Sequence, residues 1–329
     1  MRKHIKILFG ILIFLSVKTD AQIDAHFTQY YAYPLWLNPA FTGAMDGGFR
    51  ITGNYRQQWP ETLSALVSQA LSADFSLPAN FAIGATIINQ QTSGGAYKYS
   101  SGYLSLSYQA HLSEHQILCT GFQLGLLNRK IDIGQFQFGN QFNPVVGFDP
   151  SMPANESFSK SAATSLDGSV GLLYFDGDPS KKANLYIGTS LFHPTQPDNH
   201  FLSDNTPQLI PMRFSFHAGV RLKINERIDL IPHAVYQLQG TAHETTAGLS
   251  VNLKMDDDKS LIGGTVYRVG DALSPNLGLY FNGITIGFSY DITMSQLKTV
   301  SSANGGYELS VSFTNPKKIA TTKPVCPRL

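Results

Sequence analysis

Arg50, Thr52, Asn54 and Arg56 recur at every second position, opposite Phe49, Ile51 and Tyr55. Side chains alternate faces in a β-strand, so this spacing gathers two cations and two hydrogen-bonding groups on one face. Such a face can hold a folded segment through its carbonyl and hydroxyl oxygens, or it can line a water-filled wall. It carries no nucleophile and no general base. Nothing else on the chain supplies them. There is no Gly-x-Ser-x-Gly elbow, no phosphate loop ending Gly-Lys-Ser/Thr and no His-Glu-x-x-His. His111 and His115 are four apart, but a strand end and a turn do not bring them together as a helix would, so lumen and rim histidines are expected. Asp256-Asp257-Asp258 reads as a polar hairpin turn rather than a calcium site. The chain is therefore expected to be non-enzymatic, with no catalytic, metal or cofactor-binding residues.

The elements that position these residues are strands. Residues 214–224 read FSFHAGVRLKI. Phe214, Phe216, Ala218, Val220, Leu222 and Ile224 face one way; Ser215, His217, Gly219, Arg221 and Lys223 face the other. A fully apolar face backed by a cationic one suits a sheet with lipid outside and water inside. The pattern recurs from FRITGNYR to YELSVSF. Leu63, Leu66, Val67, Ala70 and Leu71 also fit a helix, but strands on both sides and short turns favour a strand over 63–75. About fourteen strands result, an even number as single-chain bacterial barrels have. The predicted fold is an all-β transmembrane antiparallel barrel, and a soluble β-sandwich is the competing architecture. Tight links at Leu77–Asn80, Ser113–Gln116, Asn225–Ile228 and Phe281–Ile284 alternate with long ones at Asp132–Ser165 and His193–Pro211, and a sandwich has no reason to alternate in this way.

Bulk properties agree. Charged residues are 14% of the chain, below the usual quarter or so. The net charge of +1 does not suggest nucleic acid. Mean hydropathy is −0.08, and no segment after the N-terminus approaches a helical span. Arg2, Lys3 and Lys6 precede the apolar run Ile7–Val17, and Thr19-Asp20-Ala21 is a small-residue cleavage site. Residues 1–21 read as a secretory signal peptide cut before Gln22. Cys119 and Cys326 are too few for a disulfide framework, and free thiols are expected. Residues 22–47 are aromatic but unpatterned, with Pro34 and Pro39 opposing a central strand or a long helix. Phe27, Tyr30, Tyr31, Tyr33 and Trp36 need burial, which predicts a plug in or under the periplasmic mouth of a barrel over 48–313. Residues 314–329 form a polar, proline-broken periplasmic tail.

The stretch HFTQYYAYPLWLNPAFTGAMDGGFRITGNYRQQWP, 26–60, resembles the N-terminus of the PorP/SprF family of type IX secretion membrane proteins. Asn38, Pro39, Phe41 and Gly43 match in its first half, and Asn54, Arg56 and Trp59 in Asn-Tyr-Arg-Gln-Gln-Trp-Pro. The terminus Cys326-Pro327-Arg328-Leu329 is similar to that family's Cys-Pro-Arg-aromatic end, with leucine in the last place. The resemblance implies an outer-membrane component of the Bacteroidetes protein secretion and gliding machinery. It implies as partners outer-membrane lipid, a secreted surface protein with a C-terminal sorting domain, and periplasmic components of the apparatus. Phe136, Phe138, Phe142, Phe148 and Phe201 of the long loops are candidate anchors for such a partner, or else they fold the loops over the barrel mouth. The second functional class is a channel for hydrophobic or small solutes with an N-terminal hatch, which the Asn-Pro-Ala near the start also fits.

Overall fold

A computed structural model describes residues 24–316, apart from 63–64, 144, 154–155, 202–206 and 257. The signal peptide and the tail residues Cys326 and Arg328 lie outside these. Fourteen antiparallel strands close on themselves. They are β1 (Gly47–Gln58), β2 (Leu66–Ser76), β3 (Phe81–Thr92), β4 (Tyr97–His111), β5 (Gln116–Ile131), β8 (Ala162–Asp176), β9 (Ala183–Phe192), β10 (Arg213–Lys223), β11 (Ile228–Gln239), β12 (Ala242–Asp256), β13 (Lys259–Arg268), β14 (Ala272–Phe281), β15 (Ile284–Thr293) and β16 (Asn304–Pro316). A two-stranded hairpin, β6 (Phe142–Asn143) with β7 (Gly147–Phe148), stands apart in the loop after β5.

Each strand pairs with its sequence neighbours in the barrel, and β1 closes the ring on β16, Asn54 opposite Ser310 and Arg56 opposite Glu308. Closure leaves no edge for aggregation. The ambiguous stretch near residue 66 becomes β2 because β1 and β3 each offer it a full ladder. The final strand runs through Pro316, beyond the expected end at Phe313, because Gly47 at the start of β1 still has a partner there.

Burial is inverted relative to a soluble protein. Arg56, Asp74, Asp229, Arg268, Asp291 and Glu308 are buried inside, while Leu71, Leu104, Leu126, Leu172, Ile187, Leu277 and Phe288 are exposed outside. A water-facing sheet would not present so many leucines, whereas a lipid-facing barrel must. The links 77–80, 112–115, 224–227 and 282–283 and both ends of the ring, Gly47 and Pro316, share one end of the barrel, and the long loops 132–161 and 193–212 rise from the other, beside the short links 240–241 and 269–271.

A lumen occupied by the N-terminal segment

Residues 24–46 do not sit under a mouth. They run inside the barrel, from beside His193 at the long-loop end to Gly43 at the short-turn end. Two short pieces shape the path, the helix α1 (Pro34–Leu37) and the 3-10 turn Pro39–Phe41. Proline begins each, where its missing N–H costs nothing. Phe27, Tyr33, Leu35, Leu37 and Phe41 are almost fully buried. Burial of such side chains is worth roughly 1.5–3 kcal/mol each, which favours a seated segment over a hydrated one.

The wall is contoured to receive it. A β-carbon on Gly121 would collide with the Pro39–Ala40 backbone, and one on Gly171 with the Asn38 side chain. Glycine at these two strand positions is what lets the segment lie against β5 and β8. Asn38 fixes the contact. Its Oδ1 accepts from the Ala40 N–H at 2.8 Å, and its Nδ2 donates to the carbonyls of Leu172 at 2.8 Å and Thr189 at 3.1 Å. Phe41 stacks on His217 with ring centroids 5.2 Å apart. The Gly43 N–H donates to Asp74 Oδ2 at 2.8 Å, and Arg50 bridges Asp74 and the Phe41 carbonyl. Gly43 has φ +74, a conformation that glycine adopts without strain.

Toward the long-loop end, four charged side chains hold the segment. Glu308 accepts from the backbone N–H of Thr28 at 2.7 Å and of Gln29 at 3.1 Å. It also accepts from Asn54 Nδ2 at 2.9 Å and Arg56 at 3.2 Å. Arg56, 1% exposed, donates in addition to the Thr28 hydroxyl and to Asp291, the latter at 2.7 Å. Asp291 receives Arg268 at 3.0 Å, Ser274 at 2.7 Å and the Thr28 hydroxyl at 2.9 Å. The two arginines face the two acids, so each buried charge has a partner of opposite sign. His26 lies above, 3.1 Å from Glu244 and 2.8 Å from Arg268. Tyr30 bonds His233, and Tyr33 bonds Thr86.

At the long-loop end Asp24 meets His193 at 2.9 Å and Arg213 at 3.2 Å. His193 also meets Asp167 at 2.7 Å, and the Arg213 guanidinium lies 4.6 Å from the centroid of the Trp36 ring. Burial alone would lower the His193 pKa, but Asp24 and Asp167 overcome it and raise it to about 9. The folded value lies above the ordinary 6.5. The clamp is therefore fully present below about pH 6.5 and is lost as pH rises through about 9. It contributes at most about 3 kcal/mol. Amide exchange of residues 24–33, corrected for intrinsic rates, should quicken between pH 7 and pH 10. His193→Gln should remove that pH dependence, and an unchanged profile in the variant would take His193 out of the clamp.

Asn38, Pro39, Phe41, Gly43, Asn54 and Arg56 thus converge in the lumen. Trp59 does not. It lies half-buried at the long-loop rim, donating its backbone N–H to the Gly305 carbonyl at 2.9 Å. Among the loop phenylalanines, Phe142 is 52% exposed and pairs with Phe148 across the β6–β7 hairpin. Phe136 and Phe138 pack together, Phe138 also against Phe158. Phe201 is not an exposed anchor. It is buried beneath the Arg129 guanidinium at 5.4 Å, and its carbonyl accepts the Ser159 N–H, so it draws two loops together over the barrel. Cys119 is buried in the lumen cluster. His111 and His115 lie at the short-turn rim, and Asp256 faces Lys259 across its hairpin at 3.5 Å.

Glu308, Asp291, Asp74, Arg268 and Asp24 belong to the contacts that hold the segment, and strand-by-strand reading misses them. Their one signal is parity: Glu308 shares the inward face of its strand with Ser310 and Ser312, as Arg56 does with Asn54 and Thr52.

A closed barrel with apolar exterior and an internal N-terminal segment defines an outer-membrane β-barrel protein. The model of the type IX secretion system membrane proteins PorP/SprF matches residues 19–313, and the chain belongs to that family. No curated protein matches it in sequence. Similar solved structures include the toluene transporter TbuX of Ralstonia pickettii, 12% identical with TM-score 0.48 over 86% of this chain and 92% of that one. A FadL homologue of Pseudomonas aeruginosa is 12% identical with TM-score 0.48 over 84% and 93%. The KdgM porin is 7% identical with TM-score 0.39 over 80% and 98%.

Proposed function

We propose that this outer-membrane component of the type IX secretion system is a non-enzymatic scaffold that supports export or surface attachment of one partner protein. The partner is a secreted surface protein with a C-terminal sorting domain, and further contacts go to periplasmic components. One observation carries the reading: the lumen is filled by a segment anchored with buried ion pairs along its height, which suits a rigid platform better than a conduit. With the short turns periplasmic, as barrels of this kind place them, the 132–161 and 193–212 loops face outward on a fixed scaffold, where binding residues commonly sit. Phe142 and Phe148 are the accessible candidates there, and the family's terminus at Cys326 and Arg328 is the periplasmic one. The signal peptide over 1–21 provides the route to the membrane, and gliding is the motility such a system would serve.

The test is to shorten each long loop while preserving barrel assembly, and to measure surface levels of all exported proteins. Loss of one partner is expected. Unchanged levels of every exported protein in both deletions would remove these loops from the mechanism. A second reading, a solute channel with a hatch, draws support from a cavity of about 260 Å³ left between the segment and the wall, lined by Tyr31, Met45, Ile231, Asn252, Ile262 and Asn276. Large, stable unit conductance of the intact protein in planar bilayers would favour it over the scaffold.

A further inference from the structure

Lys98 on β4 and Lys130 on β5 stand directly opposite each other. Both are exposed on the outer face at the long-loop end. Their β-carbons are held about 5 Å apart by the ladder, where like charges repel. Neither lysine has a carboxylate within salt-bridge reach among the described residues. At the other end four lysines are paired, Lys181 with Asp176 at 2.5 Å, Lys223 with Glu226 at 3.1 Å, Lys254 with Asp229 at 3.1 Å and Lys259 with Asp256 at 3.5 Å.

The ladder also fixes the height of the pair. On the outward face, Ile87, Gly102, Leu126 and Leu166 form one apolar row across β3, β4, β5 and β8. The next row is Asn89, Ser100, Asn128 and Thr164, bonded laterally by Ser100 to Asn89 at 2.9 Å and by Asn128 to Thr164 at 2.7 Å. Here the lipid-facing surface turns polar. Lys98 and Lys130 occupy the row after that, beside Gln91 and Ala162. Two residues along a strand is about 6.6 Å, so the ammonium groups lie just past the hydrocarbon boundary, at head-group height. A groove of about 500 Å³ opens beside them, floored by Gly94, Gly95 and Gly134. Its carboxylate, Asp132, is engaged by Gln135 at 2.8 Å.

We propose that Lys98 and Lys130 form a binding site for the phosphate of an anionic lipid in the leaflet at the long-loop end, whose acyl chains lie along the Leu104–Leu126 face below. A phosphate between the two ammonium groups converts their repulsion into two attractions, and the adjoining apolar belt selects a lipid phosphate over a free one.

Native mass spectrometry of the protein from neutral detergent tests this, with dioleoyl phosphatidic acid and dioleoyl phosphatidylcholine added in equal amounts. The wild type should retain phosphatidic acid about tenfold over phosphatidylcholine, and Lys98→Gln/Lys130→Gln should lose most of that preference. Lys181→Gln/Lys259→Gln, which removes two paired lysines from the other end, should keep it. Equal preference in the wild type and the Lys98/Lys130 variant would overturn the site, as would an equal loss in the Lys181/Lys259 variant. Inorganic phosphate in excess should leave the bound lipid in place; displacement by it would show a free-anion site and overturn the lipid assignment.

Discussion

Glu308→Ala will release the N-terminal segment while leaving the barrel closed. The substitution strands two backbone N–H groups, Asn54 and Arg56 without their common acceptor. Breaking one side of a buried, hydrogen-bonded charge cluster costs about 3–5 kcal/mol. The main ladder of β16 is untouched, because its pairing with β1 and β15 runs through backbone groups. Protease cleavage within residues 24–46 in detergent should therefore speed up by two orders of magnitude or more, with the heat-modifiable gel shift of the folded barrel retained. Arg56→Ala should act alike, and the double variant should fall well short of the sum, because both remove one network. Glu226→Ala, at an exposed turn pair, should change nothing. Equal protection of the segment in wild type and Glu308→Ala would mean that apolar burial alone seats it.

Leu104→Arg should damage membrane assembly through its depth. Leu104 lies at the middle of β4, 71% exposed on the outer face. A cation near the bilayer midplane of a barrel costs about 2–4 kcal/mol, falling to about 0–1 near the interface. Thr164→Arg, on the same outward face at the polar row, should thus fold into liposomes almost as well as the wild type. Comparable folded fractions for the two variants would contradict the placement of the membrane.

Much of this architecture was legible in the chain. Alternation over Phe214–Ile224 gave the strand, its facing and its lipid side without help from any neighbour. The two long links favoured a barrel over a sandwich, although strict alternation of long and short does not hold, since the links 240–241 and 269–271 at the long-loop end are also tight. The inward face Arg50-Thr52-Asn54-Arg56 pointed to a polar grip on the aromatic segment before it. What stayed hidden depends on closure. Arg56 and Glu308 are 252 positions apart, and only the β1–β16 register sets them side by side. The depth of the segment was equally hidden, since it is set by Gly121 and Gly171, which read in sequence as ordinary strand glycines. Phe201 misled for a related reason: loop aromatics look alike until a neighbour such as Arg129 covers one of them.

The seam and the grip on the segment are built from the same residues. Arg56 belongs to the first strand and Glu308 to the last, and Thr28 bonds both. The β1–β16 seam places these two charges in the lumen near the long-loop end, where Thr28 and Gln29 complete their coordination. The N-terminal segment is therefore a clasp as well as a filling: Thr28 joins a charge of the first strand to a charge of the last, so the same contacts that seat the segment also tie the two ends of the ring together from inside.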